Sequence, residues 1–362
     1  MPGSVFGEFL TVATFGESHG TAVGVVVDGV PAGLELSVDD VQRELDRRRP
    51  GQSGVTSARR ESDRAELLSG VFEGKTTGTP VAIVIRNEEH RSSDYERFRD
   101  AFRPGHADWT YHAKYGVRDW RGGGRSSGRE TAARVAAGAV ARKILAVGGI
   151  TVRGYAREIA GVQAQRVDLE EVERNPVRSP DPDAAPVMER AIAEAKEAGD
   201  SVGGVVEVVA DGVPAGLGDP VFDKLEALLA HALMSVGAVR GFEVGDGFAT
   251  ARMRGSAFND ELAAEGGRVR SRTNHAGGVL GGISTGERLV VRCAVRPPAS
   301  IARSQRTVNE RGDAVEIAVG GRHDPCIVPR AVPVLEAMVA LVLADRLLAQ
   351  KAIAAPPGRP AG

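Results

Sequence analysis

The sequence predicts a mixed α+β fold made of two related halves, and three observations carry that expectation. The heptapeptide DGVPAGL occurs twice, at Asp28–Leu34 and again at Asp211–Leu217. Seven identical residues at such a separation mark internal repetition. Each copy follows a Val-rich run, VGVVV or VVEVVA, and precedes a helical pattern, so the repeated unit is strand, turn and helix. At 362 residues and 42% hydrophobic content the chain can also bury a large core. Residues 1–353 are read as one domain with two related halves and a ligand site between them. The Pro- and Gly-rich tail 354–362 is expected to be disordered.

Taken in order, Phe9–Thr14 and Ala22–Val27 read as strands around the turn FGESHG. Ser37 and Asp40 form a capping-box start for a helix that runs to about Arg48 and stops at Pro50-Gly51. Pro80–Arg86 is a buried strand, and Phe102–Trp120 is loop-like, dense in His, Arg and aromatic residues. A helix from Arg129 to about Leu145 leads into the strand Ile150–Ile159. Residues 168–186 are polar and irregular, and Val187–Ala198 reads as an exposed amphipathic helix. Pro220–Met234 is the helix of the second half, followed by a strand pair over Ala238–Ala249. A long glycine-rich loop spans 255–286. Strands at Glu287–Val295 and Val315–Val319 precede a long helix ending near Gln350.

Composition excludes several classes of function. The net charge of −2 and pI near 6.4 argue against a general nucleic-acid binder, and aromatics at 4% are too few for base-stacking platforms. The longest apolar stretch, Met338–Leu343, is far short of the roughly 20 residues of a membrane span. No secretory signal is read at the N-terminus, so a cytoplasmic location is expected. Cys293 and Cys326 lack metal-ligand spacing and a disulfide framework.

Arginine is the informative residue type. Of 46 basic residues six are lysines, leaving 40 arginines. Two groups fall in Gly-, Pro- and Ser-rich sequence: Arg47–Arg49 with Arg59, Arg60 and Arg64, and the run from Arg103 to Arg134. Pairing with a helix C-terminus accounts for one or two of the first group. The second contains RGGGRSSGRETAARVAAG, Arg121–Gly138, a glycine loop turning into a helix. Gly122–Gly124 let the backbone approach a ligand, Ser126 or Ser127 can cap the first turn, and the helix N-terminus favours anions. With Arg118, Arg121, Arg125, Arg129 and Arg134 crowding the same stretch, phosphate is the expected guest. His19 reads as an acid or base, and His106, presented by Pro104-Gly105, as a second candidate.

Three stretches, GESHG at Gly16–Gly20, RGGGRSSGRETAARVAAGAV at Arg121–Val140 and GRHDPCIVPRAVP at Gly321–Pro333, resemble the signature motifs of the chorismate synthase family. RRRPGQSG, FRPGHADWTYHAKYG and NHAGGVLGGISTG are similar to the same family between them. The resemblance covers essentially the whole chain. It implies a β-α-β sandwich with internal pseudo-twofold symmetry, assembled as a homotetramer. It implies a lyase that converts 5-enolpyruvylshikimate 3-phosphate to chorismate and phosphate by 1,4-anti elimination. Reduced FMN is the implied cofactor, supplied by a separate flavin reductase.

By the same resemblance His19 assists the departing phosphate, His106 protonates the reduced flavin, and Asp324 acts in removing the C6 proton. The implied FMN contacts are Arg125, Ser126, Ser127, Gly237, Ala238, Gly281, Arg296, Pro297, Pro298, Ala299, Ser300 and Arg322. Arg48, Arg49, Arg129 and Arg134 would hold substrate anions. Gly54 stands where many family members carry an Arg linked to NADP binding, which argues against NADP here. The other enzymatic reading of the residues is a flavin oxidoreductase that consumes NAD(P)H.

Overall fold

In a computed structural model the structure describes residues 3–52, 61–88, 96, 99–319 and 324–353. Gly54, Arg59, Arg60, Arg322 and the tail 354–362 lie outside the described residues. The first half contains strands β1 (Val5–Phe6), β2 (Thr11–Gly16) and β3 (Ala22–Asp28), helix α1 (Val38–Arg48) and strand β4 (Ala65–Leu67). A small hairpin, β5 (Val71–Phe72) with β6 (Lys75–Thr76), precedes strand β7 (Val81–Arg86) and helices α2 (Asp108–Tyr115) and α3 (Thr131–Val147). The second half opens with β8 (Thr151–Ile159), β9 (Val162–Gln163) and α4 (Ala185–Glu197), then β10 (Gly204–Asp211), α5 (Leu225–Met234) and β11 (Val239–Val244). After the single turn α6 (Gly255–Phe258) come two hairpins, β12 (Leu262–Glu265) with β13 (Arg268–Ser271) and β14 (Val279–Leu280) with β15 (Ile283–Ser284). Strand β16 (Leu289–Val295), the hairpin of β17 (Gln305–Val308) and β18 (Ala314–Ile317), and helix α7 (Val328–Ile353) complete the chain.

Two five-stranded antiparallel sheets result, ordered β1-β2-β3-β7-β4 and β11-β16-β10-β8-β9. The succession β2-β3-α1-β4-β7-α3 matches β8-β10-α5-β11-β16-α7, and each copy of DGVPAGL leaves the central strand of its sheet, β3 or β10. The duplication expected from the heptapeptide is therefore carried by the topology. Side chains alternate across a strand, so Val23, Val25 and Val27 of β3 and Val81, Ile83 and Ile85 of β7 face inward together. Helix α3 covers that face, α7 covers the inner face of the second sheet, and α3 packs on α7. The core fills the space between the sheets.

Four expectations change. Phe102–Trp120 is not all loop, because Asp108–Tyr115 forms α2, closed by Gly116 in the left-handed region and packed through Trp109 and His112 on Phe102. The segment 255–286 folds into hairpins rather than a long loop. Helix α5 starts at Leu225 instead of Pro220, and β11 leads into a 3₁₀ turn (Gly247–Arg252) rather than a partner strand.

The α3–α7 contact depends on small residues. A Cβ added at Gly138 would lie 2.3 Å from Ala337 Cβ and 2.7 Å from its Cα. At the same level the buried carboxylate of Glu336 accepts from Arg47 Nη1 (2.6 Å), Arg142 Nη2 (2.6 Å) and the backbone N–H of Gly154 (2.6 Å). Burial opposes the charge of Glu336, but Arg47 and Arg142 outweigh it and hold the carboxyl below its usual range.

Two stability measurements follow. Helix propensity alone would give Gly138→Ala a gain of about 1 kcal/mol. Overpacking costs about 1–3 kcal/mol, and more against a helix backbone, so the denaturation midpoint should fall; an unchanged or raised midpoint would contradict this packing. Glu336→Ala takes the buried carboxylate from Arg47, Arg142 and the Gly154 N–H, leaving the arginines only Glu44, Glu173 and Val152 O, and should cost about 3 kcal/mol by urea unfolding.

Candidate active site

The pseudo-symmetry brings the C-terminal ends of α1 and α5 and the N-terminal ends of α3 and α7 to one end of the sandwich, around a cavity of about 1610 Å³. Helix N-termini carry partial positive charge, so two of them at one cavity favour an anionic guest. Among the described residues that line it, ten are Arg and five are Asp or Glu.

The loop before α3 forms the floor. Gly122, Gly123 and Gly124 all have positive φ (96°, 97° and 52°), a region that disfavours side chains. A Cβ on Gly122 would lie 2.5 Å from His19 Cε1, and one on Gly123 would lie 2.7 Å from His106 Cε1. The glycines thus admit two imidazoles where the sequence suggested room for a ligand. Ser127, not Ser126, does the capping: its Oγ accepts from Arg129 N (3.3 Å), while Ser126 Oγ donates to Gly123 O (2.7 Å).

His19 is buried, with Nδ1 3.1 Å from the buried Ser18 Oγ; it lies behind Gly122 rather than in the cavity lining. His106 does line the cavity, and its Nδ1 is 2.9 Å from Asp108 Oδ1. Burial, aided by Arg103 and Arg296, lowers the His106 pKa below 6.5, with Asp108 working in the opposite direction. Asp324 lines the same cavity and is ion-paired with Arg330 Nη1, while Arg330 Nε donates to Arg48 O (3.1 Å).

The arginines divide by how their donors are used. Arg48 is buried and gives Nε to Thr131 Oγ1 (3.1 Å), Nη1 to Asp63 (3.0 Å) and Nη2 to Gly128 O (2.6 Å). Burial pushes its pKa down to about 10, Arg330 and Arg129 adding to the effect and Asp63 opposing it. Arg129 is buried too, paired with Asp63 and Glu61 and donating to Asn87 Oδ1 (2.8 Å) and Arg86 O (3.2 Å). Burial works against the charge of Asp63, but Arg48 and Arg129 keep its carboxyl below the normal range. Arg125 reaches Gly16 O (3.1 Å) and Thr14 Oγ1 (2.7 Å) on β2. Arg134 donates to Glu130 (2.9 Å) and Ser235 Oγ (2.6 Å).

Arg125, Ser126, Ser127, Gly237, Ala238, Arg296, Pro298, Ala299 and Ser300 all line the cavity with Arg48, Arg129 and Arg134. Arg49, Pro297 and Gly281 do not. Successive helical residues point about 100° apart, so of the three consecutive arginines Arg47 turns to Glu336, Arg48 to the cavity and Arg49 outward to Asp46. Gly281 sits in the turn between β14 and β15, near the second DGVPAGL, where Leu217 N donates to Ser284 Oγ. Pro297 offers its carbonyl to Arg296 Nη1 (3.0 Å).

Several contributors carry no sequence reading. Asp63 and Glu61 neutralise buried guanidiniums, and Arg240 lines the cavity with no ion pair among the described residues. Asp108 had a signal, the His-x-Asp spacing of HAD. Among the described residues no His, Cys, Asp or Glu cluster suits a metal ion, and no helix is long and apolar enough to cross a membrane.

A family model described as chorismate synthase matches residues 10–348. A chorismate synthase of Chloroflexus aggregans is 56% identical over 352 residues, covering 97% of each chain. That of Archaeoglobus fulgidus is 58% identical over 352 residues, covering 96% of this chain and 98% of the relative. A solved structure titled "Crystal Structure of Chorismate Synthase" superposes with a TM-score of 0.77 at 34% identity, over 95% of this chain and 93% of that one. A family-model match over residues 10–348, which takes in both central strands and helices α1 to α5, together with relatives at more than 50% identity, places this chain in the chorismate synthase family.

Proposed function

We propose that the chain is a lyase that converts 5-enolpyruvylshikimate 3-phosphate to chorismate and inorganic phosphate by 1,4-anti elimination, with reduced FMN as cofactor. The observation that carries this reading is the excess of guanidinium over carboxylate around one cavity with His106 on its wall and His19 just beneath its floor. Such an excess favours anionic guests. The substrate has a phosphate and two carboxylates, and the cofactor adds another phosphate.

The residues present fit both groups. The cavity exceeds the roughly 300–1,000 Å³ typical of a single drug-sized ligand, so two can share it. Arg296 Nε is buried without a hydrogen-bond partner, a donor in want of an acceptor. Arg125, Ser126, Ser127, Gly237, Ala238, Arg296 and Pro298–Ser300 would hold the flavin. When bound, reduced FMN supplies electron density transiently to the ring and recovers it, so the reaction has no net redox change.

The chain's own groups handle protons and charge. The C3–O bond breaks toward phosphate, and His19 is the acid nearest that role. The C6 proton leaves to a base, and Asp324, steadied by Arg330, is the carboxylate suited to take part. His106 is neutral in the ligand-free site and gains a proton when an anion settles beside it, which suits it to hold the cofactor's proton. Arg48 and Arg129 have their donors spent inside the protein, on Asp63, Glu61 and neighbouring oxygens, and hold the wall in place. The exposed Arg121 and Arg240 are better placed to bond substrate anions than Arg134, whose three nitrogens go to Glu130 and Ser235. A homotetrameric, cytoplasmic enzyme supplied with reduced flavin by a separate reductase completes the proposal, and NADP has no part in it.

Anaerobic mixing with photoreduced FMN and substrate should release phosphate and form chorismate in equal amounts. Stoichiometric loss of NADPH instead would favour an oxidoreductase. His19→Ala and His106→Ala should each lower kcat about 10²–10⁴-fold while FMN still binds and circular dichroism is unchanged; wild-type rates in both would refute the acid–base roles. In ligand-free protein His106 loses its charge as pH rises through a value below 6.5, and oxidised FMN should raise that value in an NMR titration.

A further inference from the structure

We infer that Asp108 is a positioning residue for His106, fixing Nδ1 as the protonated ring nitrogen so that Nε2 is the atom that exchanges a proton in the cavity. This rests on the proposed proton-carrying role of His106. Three observations support it. First, Asp108 is buried and its carboxylate is gripped by Arg103, which donates from its backbone N (3.1 Å) and Nε (2.8 Å) to Oδ2 and from Nη2 (2.9 Å) to Oδ1. Burial opposes that charge, but the bonds from Arg103 and His106 hold the carboxyl well below the usual carboxylate range, so it only accepts. Second, Asp108 is the first residue of α2, where the helix end favours a negative charge. Third, the Cε1–Nε2 edge of the ring lies against Gly123, whose added Cβ would sit 3.1 Å from Nε2.

With an anionic acceptor at 2.9 Å, Nδ1 must carry the proton. Arg103 Nη2 is 3.1 Å from the same nitrogen and, as a donor only, could bond it only if Nδ1 were bare, but that nitrogen already donates to Asp108 Oδ1 at the shorter 2.9 Å. With Nδ1 protonated, the charge of Arg103, like that of Arg296, acts as an electrostatic brake on a second proton. Arg118 Nη1, 3.8 Å from Asp108 Oδ1, adds to the positive surroundings. The ring is held on two edges, by a carboxylate at Nδ1 and by a glycine backbone at Cε1–Nε2.

An Asp108→Asn chain keeps the shape and loses the charge. Its amide has one oxygen, for which the three Arg103 donors compete, so the NH₂ turns to His106 and asks Nδ1 to accept. The test is long-range ¹H–¹⁵N NMR on histidine-labelled protein, with His106→Gln identifying the signal. Wild-type His106 should show a protonated Nδ1 and a bare Nε2 above its titration, and Asp108→Asn should move toward the other tautomer. In turnover the variant should lose about 10- to 100-fold in kcat, with KM nearly constant and the His106 limb shifted to lower pH. A wild-type ring protonated at Nε2, or an Asn variant with wild-type tautomer and kcat, would overturn the inference. The wild-type spectrum decides it even where the variant fails to fold. Absence of turnover in the wild type would sink the lyase, while the tautomer would still decide the place of Asp108.

Discussion

Glu336 joins the two halves of the molecule. It sits on α7 of the second half, takes a backbone N–H from β8 of the same half, and binds Arg47 on α1 and Arg142 on α3 of the first. A buried carboxylate must be paired at good geometry or it costs several kcal/mol, so this centre fixes how α7 lies on α1 and α3. The small residues Gly138 and Ala337 beside it let α3 and α7 approach closely enough for those pairs to form. With Arg47 pinned inward, the next residue, Arg48, is aimed at Asp63, Thr131 and Gly128, beneath the cavity. The site inherits its shape from the joint between the halves.

Two ways of managing positive charge coexist in the cavity. Some guanidiniums are neutralised in place, as where Asp63 serves Arg48 and Arg129 together. Others line the space with fewer internal partners, and Arg240 has no ion pair among the described residues. The first group gives rigidity, the second gives donors for a guest. His106 stands beside both groups on the cavity wall. The depressed His106 pKa is the mark of that environment, burial above all, with Arg103 and Arg296 assisting, outweighing the hydrogen bond and charge of Asp108.

Local signals located most elements to within a few residues. The Ser37–Asp40 capping box starts α1 as read, and the alternating Val and Ile runs form β3 and β7. The misses share a cause. Residues 108–115 have a weak helical stripe, and α2 forms because Trp109 and His112 find Phe102. The hairpins in 255–286 have short strands whose pairing is a matter of register, which a glycine-rich sequence does not specify.

Sequence alone determined the duplication, the element types and the residue chemistry of the site, because repeats, periodicity and motif spacing are written along the chain. It placed His106 and Arg125 together with the distant Asp324 among the candidates for one site, and all three line one cavity. Tertiary structure decided which guanidiniums remain available and which are spent on Asp63, Glu61 or Glu336, that the triple glycine makes room for imidazole rings, and that Arg49 faces outward. Those outcomes depend on distances between segments remote in sequence, and an ion pair or a close approach exists only once the folded core has set them.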